Sequence, residues 1–169
     1  SDQLEIVAAA GPSADTTRNI RLSIDPERPE GRGMSGTAFR TRQPCISNDY
    51  LNDERTVRWR ANARKVGARS AAAVPVKRHG NPIGVLLFYL DQPHALTEET
   101  VGLLECMAEN VSFALDNFDR DRATTRINRM FAALTATNEA ILRAQSIDEM
   151  LQLVCEAASD GGKLLGAAI

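Results

Sequence analysis

The sequence predicts an α+β fold in which an antiparallel β-hairpin feeds a long amphipathic helix, and three observations predict it. Residues 70–77 (SAAAVPVK) and 83–90 (IGVLLFYL) are β-prone runs on either side of a turn at Arg78-His79-Gly80-Asn81-Pro82, the pattern of an antiparallel hairpin. The second run is apolar almost without interruption, so it is expected to be covered on both faces and central in its sheet. After Asp91-Gln92-Pro93 the period changes, and Val101, Leu104, Ala108, Val111, Leu115 and Phe118 step by three and four. That spacing makes one apolar stripe along a helix. Thr97 is placed to cap it, and Glu98 and Glu99 suit its positive first turn.

The remaining elements follow in chain order. Residues 4–10 (LEIVAAA) form a β-type run closed by Gly11-Pro12. Residues 18–24 alternate, with Ile20, Leu22 and Ile24 on one face and Asn19, Arg21 and Ser23 on the other, which predicts a half-exposed strand. Residues 25–33 (DPERPEGRG) are rich in Pro and Gly and read as a loop. Gly31, Gly33 and Gly36 match no nucleotide-binding spacing and are expected to let the backbone turn sharply. Ser35 then caps a short helix through Arg42, with Ala38 and Phe39 on its buried side. Pro44 ends it, Cys45-Ile46-Ser47 is a brief strand, and Asn48-Asp49 marks a turn. Residues 55–69 carry six cationic side chains and no acid. They read as a short irregular helix tethered by Trp59, either a solvated basic face or an anion-attracting rim.

Past the Thr97 helix, residues 119–126 are charged, and Ile127, Met130, Leu134, Thr137 and Ile141 form a second stripe. The two stripes are out of phase, so a break or register shift is expected near residues 123–125. Ser146 with Glu149 is a capping box for a helix whose apolar face is Ile147, Leu151, Val154 and Ala158, stopped by Gly161-Gly162. The final run, KLLGAAI, reads as a strand.

Composition bounds the class. The chain has 169 residues, 43% hydrophobic and 25% charged, with a net charge of −2. This is ordinary for a globular domain and gives no reason to expect nucleic-acid binding. No apolar run approaches the ~20 residues needed to span a bilayer. Three widely spaced cysteines, Cys45, Cys106 and Cys155, make neither a disulfide framework nor a zinc pattern, which favours a cytoplasmic setting. His79 and His94 lack partners at metal-ligand spacing, and no nucleophile-base pattern stands out, so neither a metal site nor an enzyme is expected. Cys45 is read as a small buried residue, with a redox thiol as the sharper alternative. Tyr50 and Trp59 are the aromatics best placed beside a cavity.

The segments LEIVAAAG, GRGMSGTAFRTRQPCISND and SAAAVPVKRHGNPIGVLLFYLDQPHALTEETVGLLECMAENVSFALDNF together resemble a GAF domain, the small-ligand sensory module of signalling proteins. The resemblance implies a central antiparallel sheet of about five to six strands. Long helices would cover one face, and short helices and loops would form a pocket on the other. Residues 1–118 would be a GAF core lacking its first strand. Residues 119–169 would supply connecting helices and a GAF-type first strand, completing this sheet or a partner copy's, or opening a second repeat; completion is favoured because the sheet otherwise exposes long apolar edges.

By position in such a fold, Phe39, Asn48, Asp49, Trp59, Arg69, Ser70 and Ala72 are expected to line the pocket, with Arg69 facing an anionic group. The stripes of residues 98–121 and 125–144 are expected to pair across a two-fold homodimer. In bacterial proteins resembling this one, GAF units occur in series before cyclic-di-GMP synthesis or hydrolysis domains or kinases. An output domain of that kind (a cyclase, phosphodiesterase or kinase) is the expected covalent partner. The motif of cyclic-nucleotide-binding relatives and the Cys-His of bilin-binding relatives are both missing, so no cofactor is assigned. Two rivals share the fold: a ligand-free dimerisation spacer, and a free methionine sulfoxide reductase, which needs several cysteines at its pocket.

Overall fold

The computed structural model describes residues 2–12, 14–18 and 20–162. The chain divides into two compact units, Ser1–Asp116 and Asn117–Ile169. The first contains a two-stranded pair, β1 (Gln3–Leu4) with β2 (Leu22–Ser23), and an antiparallel sheet of β3 (Cys45–Ser47), β4 (Ser70–Arg78) and β5 (Asn81–Leu90) in the order β3-β4-β5. Short helices α1 (Ala14–Arg18), α2 (Met34–Thr41) and α3 (Arg60–Val66) connect these strands, with 3₁₀ turns at Pro29–Gly31 and Glu54–Trp59. Helix α4 (Glu98–Arg143) begins in the first unit and continues into the second, which also holds α5 (Ile147–Gly162). This is an α+β fold with antiparallel sheets and long helices. Among the described residues its main sheet has three strands, fewer than the five to six expected. The expected terminal strand, residues 164–169, lies outside the described residues.

The middle of the sheet is β4, not residues 83–90. Seven consecutive residues of β4 are buried, whereas β5 is half-buried and outermost among the described strands. The bulkier run reads from sequence as the sheltered one. The deepest place instead takes the smallest side chains, because α2 packs across β4 and β5. Ala71, Ala72 and Ala73 are each 0% exposed. Successive strand residues face opposite ways. Ala71 and Ala73 therefore share one face with Cys45, Tyr50, Met34, Ala38, Ala63 and Ala68, against which Val85, Leu87 and Tyr89 pack; Ser70, Ala72, Val74 and Val76 belong to the other.

The hairpin turns through only His79 and Gly80, at φ 52° and 78°, with Arg78 already opposite Asn81. Positive φ at both central residues is what a two-residue turn needs to match strand twist. Pro82 carries no N–H for the ladder. Beside it the register shifts between Val76 and Lys77, and the Lys77 N–H donates to Ser112 Oγ of α4 at 2.9 Å. The His79 N–H donates to Asp116 Oδ1 at 2.9 Å, one helical turn further along.

Several other expectations change. Only Gln3–Leu4 of the first β-run is strand, and Val7 is 91% exposed; its partner β2 is itself only two residues long, so the pairing does not extend further along the run. Residues 18–24 open with the end of α1, and the strand is Leu22–Ser23 alone. Helix α2 is capped by Gly33, so Ser35 lies inside its first turn; Ala38 is buried and Phe39 half-buried. Helix α4 has no break near residues 123–125, because the charged stretch contains neither Gly nor Pro and is made of residues a helix accepts. The Thr97 cap and the Ser146 cap form as expected, Thr100 N donating to Thr97 Oγ1 at 3.2 Å and Glu149 N to Ser146 Oγ at 3.2 Å.

Gly31 and Gly36 serve close approach rather than turning, since neither has positive φ. A Cβ at Gly36 would lie 2.3 Å from the Gly31 carbonyl oxygen and 2.6 Å from that of Ser23. Gly36→Ala is therefore expected to destabilise the first unit by about 1–3 kcal/mol. Gly102→Ala, on α4 with open space around it, should stabilise by about 0.5–1 kcal/mol. Denaturant midpoints of the two variants check both signs.

Candidate functional site

The alanine face of β4 is a floor with almost no side-chain relief, so whatever faces it decides whether space remains. Cys45 and Ser47 of β3 lie opposite Ala73 and Ala71, and Tyr89 and Leu87 of β5 flank the same two alanines. Tyr50 stands against Tyr89 edge to face, ring centroids 5.7 Å apart at 74°. Helix α3 and the turn before it bring Trp59, Asn62, Ala63 and Val66 over this row. With Tyr50, Tyr89, Thr17 and Ile20 they enclose a cavity of about 250 Å³, mouth included. Its interior has room for about one water, whereas pockets for drug-sized ligands run to ~300–1,000 Å³. The Trp59 ring packs against Gly33, where an added Cβ would meet it at 2.4 Å. Burial pushes the Tyr50 phenol well above its ordinary pKa, with Tyr89 adding to the shift, and burial also raises Tyr89.

A polar cluster lies at the edge of this row. The Asp53 carboxylate accepts the Arg55 backbone N–H at 2.9 Å and its guanidinium at 2.9 Å from Nε and 2.5 Å from Nη2. The same guanidinium donates to the Ile46 carbonyl at 2.8 Å and to Cys45 Sγ at 3.1 Å. Thr56, fully buried, donates its hydroxyl to the carbonyls of Tyr50 and Asp53, and Arg60 Nη2 donates to the Asp53 carbonyl at 3.0 Å. Hydrogen bonding to Arg55 holds the Asp53 carboxyl down at about 2, against a smaller upward push from burial. Burial raises the Cys45 thiol, and the charge of Arg55 only partly offsets it. A buried thiol with raised pKa is a poor nucleophile.

The residues expected to line one pocket are distributed more widely. Trp59 lines the cavity. Phe39 is half-buried on α2. Asp49 is exposed and accepts from Asn52 Nδ2 at 2.7 Å. Asn48 is turned to the loop before α4: its Nδ2 donates to the Leu96 carbonyl at 3.0 Å and its Oδ1 accepts the Leu96 N–H at 3.0 Å. The Arg69 side chain is exposed, while its backbone accepts from Tyr50 N at 2.8 Å and donates to Leu90 O at 2.7 Å. Ser70 donates its hydroxyl to the Gln92 carbonyl at 2.9 Å, and both Ser70 and Ala72 lie on the sheet face opposite the cavity. Sequence reasoning missed Tyr89, Asn62, Ala63 and Val66. The signal for Tyr89 was present, since alternation places it with Leu87 and Val85. The basic run also finds counter-ions outside itself, Asp53 for Arg55 and Glu30 for Arg58 at 2.5 Å.

The family model of the GAF domain matches residues 2–116. The chain belongs to the GAF domain family. A comparison with curated proteins gives no match. Among solved structures, a domain of an inferred two-component sensor histidine kinase from Sinorhizobium meliloti 1021 aligns at TM-score 0.54 and 18% identity, over 72% of this chain and 75% of that one. The free methionine-R-sulfoxide reductase of Neisseria meningitidis, in complex with its substrate, aligns at TM-score 0.54 and 22% identity, over 69% of this chain and 60% of that one. The GAF domain region of an inferred membrane protein from Geobacter sulfurreducens PCA aligns at TM-score 0.50 and 22% identity, over 64% and 68%. At these identities the likeness establishes the GAF fold. In this GAF chain no helix among the described residues is long and apolar enough to cross a membrane.

The depressed Asp53 carboxyl gives a signed pH dependence. Its folded pKa of about 2 lies below the ordinary value of ~3.9, so the unfolded chain binds more protons between them. The associated stability is present above pH ~4 and is lost as pH falls towards 2. Asp53→Asn should flatten that part of the acid limb, measured as the denaturant midpoint from pH 4.5 to pH 2.

Proposed function

We propose that this GAF domain is a sensory or regulatory module of a cytoplasmic signal-transduction protein. It takes a small molecule at the Tyr50–Trp59–Tyr89 cavity, or pairs with a second copy, to control an output domain. The observation that carries this reading is the cavity itself: an aromatic-walled space on an alanine floor, with no activated nucleophile beside it. Aromatic walls with a few polar groups (Asn62, Thr17 and the two phenols) suit a small planar guest.

Pairing is supported by α4. Leu103, Met107 and Val111 recur every fourth residue and are exposed, as are Phe118, Met130, Phe131 and Leu134 further along. Such residues on one helix are the material of a helical dimer interface. A bacterial cyclase, phosphodiesterase or kinase acting in cyclic-di-GMP or phosphotransfer signalling is the kind of output this role implies. A ligand-free dimerisation spacer is the second reading, and the one-water interior favours it.

The reductase reading is less well supported. Cys45 is the one cysteine in the core cluster, Cys106 is exposed on α4, and Cys155 is on α5.

Thermal-shift screening against nucleotides, amino acids and haem tests the sensory reading. A rise in Tm that Trp59→Ala abolishes is the expected result, and a flat response across the panel leaves the spacer. Free methionine sulfoxide turnover with a thiol reductant should be indistinguishable between the native chain and Cys45→Ser. Alkylation should reach Cys106 well before Cys45. A Cys45-dependent turnover would overturn the non-enzymatic assignment.

A further inference from the structure

Among the described contacts, the part of α4 within the first unit and the segment leading into it are held by polar contacts at two places, and only one of these belongs to the cavity loop. At the hairpin tip, Ser112 and Asp116 accept the N–H groups of Lys77 and His79. At the helix start, the contact is Asn48. Its side-chain amide both donates to and accepts from the backbone of Leu96, 3.0 Å each way, and its own carbonyl accepts the His94 N–H at 2.8 Å. Leu96 is 5% exposed and immediately precedes Thr97, whose hydroxyl and carbonyl begin α4 by accepting Thr100 N at 3.2 Å and Val101 N at 2.9 Å. Two residues after Asn48 comes Tyr50, 4% exposed and a wall of the cavity.

We infer that Asn48 is the joint through which the loop carrying the cavity wall sets the position of the first turn of α4. The chemistry is specific. A primary amide offers a donor and an acceptor side by side, so it can complete a backbone residue's two groups as a neighbouring strand would. Aspartate lacks the donor and alanine lacks both. The 91–97 segment has no regular structure of its own, and His94 sits at φ 58°. Its conformation therefore leans on these three bonds together with the one from Ser70 to the Gln92 carbonyl, and at the buried Leu96 an unmatched backbone group is costly. The hairpin-tip contacts make a reference point, because neither Lys77 nor His79 borders the cavity. A displacement of the Tyr50 wall is thus passed to residues 96–102 and not to residues 77–79.

This deepens the sensory reading, but its test perturbs the cavity by substitution, so a flat ligand screen does not bear on it. Trp59→Phe removes part of the cavity wall. Amide hydrogen exchange is then followed on the full chain in a double-mutant cycle with Asn48→Ala. With Asn48 present, Trp59→Phe is expected to speed exchange at residues 96–102 about tenfold and to leave the Lys77 and His79 amides unchanged. With Asn48→Ala, whose own exchange at 96–102 is already faster, adding Trp59→Phe is expected to change nothing further there. The same acceleration in both backgrounds, or none at 96–102 with Asn48 present, overturns the inference. Amides of Ala71–Ala73 report whether each variant is folded. Should Asn48→Ala fail that check, Asn48→Asp, which keeps the acceptor and loses the donor, takes its place under the same two criteria.

Discussion

The constraint on which the first unit depends is the narrowness of β4. Two alanines without exposed surface, Ala71 and Ala73, let α2 and α3 lie close over one face of the sheet, and side chains of any greater length would hold them off. The rest follows from that closeness. Gly36 has no room for a methyl group because α2 presses on the loop and strand before it. The Trp59 ring is wedged against Gly33. The cavity is small because the helices that roof it are near the floor.

Much of the fold was legible in local patterns. The hairpin, the Thr97 and Ser146 caps, the end of α2 ahead of Pro44 and the amphipathic start of α4 each follow from short-range chemistry acting within a few residues. What failed depended on partners. Residues 83–90 look like the sheltered strand because hydrophobicity measures tendency to leave water, while burial here is awarded by helix proximity, which favours alanine. Residues 4–10 look like a strand until one asks what pairs with them. The out-of-phase stripes of α4 look like a break, yet phase alone does not interrupt a helix whose stretch between the stripes has no Gly or Pro.

The site was legible in outline only. Trp59 and Tyr50 stand out as the aromatics of a basic, loop-rich stretch, and both border the cavity. The polar candidates were harder to place, because a side chain such as Asn48 or Ser70 can answer either to a guest or to the backbone of a distant segment. Here both answer to backbone, at Leu96 and Gln92, separations of 48 and 22 residues that no local pattern encodes. Arg55 illustrates the same limit, since its charge reads as free until Asp53 and the Ile46 carbonyl are seen to share it.

The smallness of the chamber's interior sets how any guest would arrive. A molecule bigger than water fits only in conformations where Tyr50, Trp59 or the α1 segment has drawn back. Its observed affinity is then its intrinsic affinity scaled down by the fraction of time the chamber is open. Its association is correspondingly slower than encounter by diffusion, and occupancy becomes a record of how often the protein breathes.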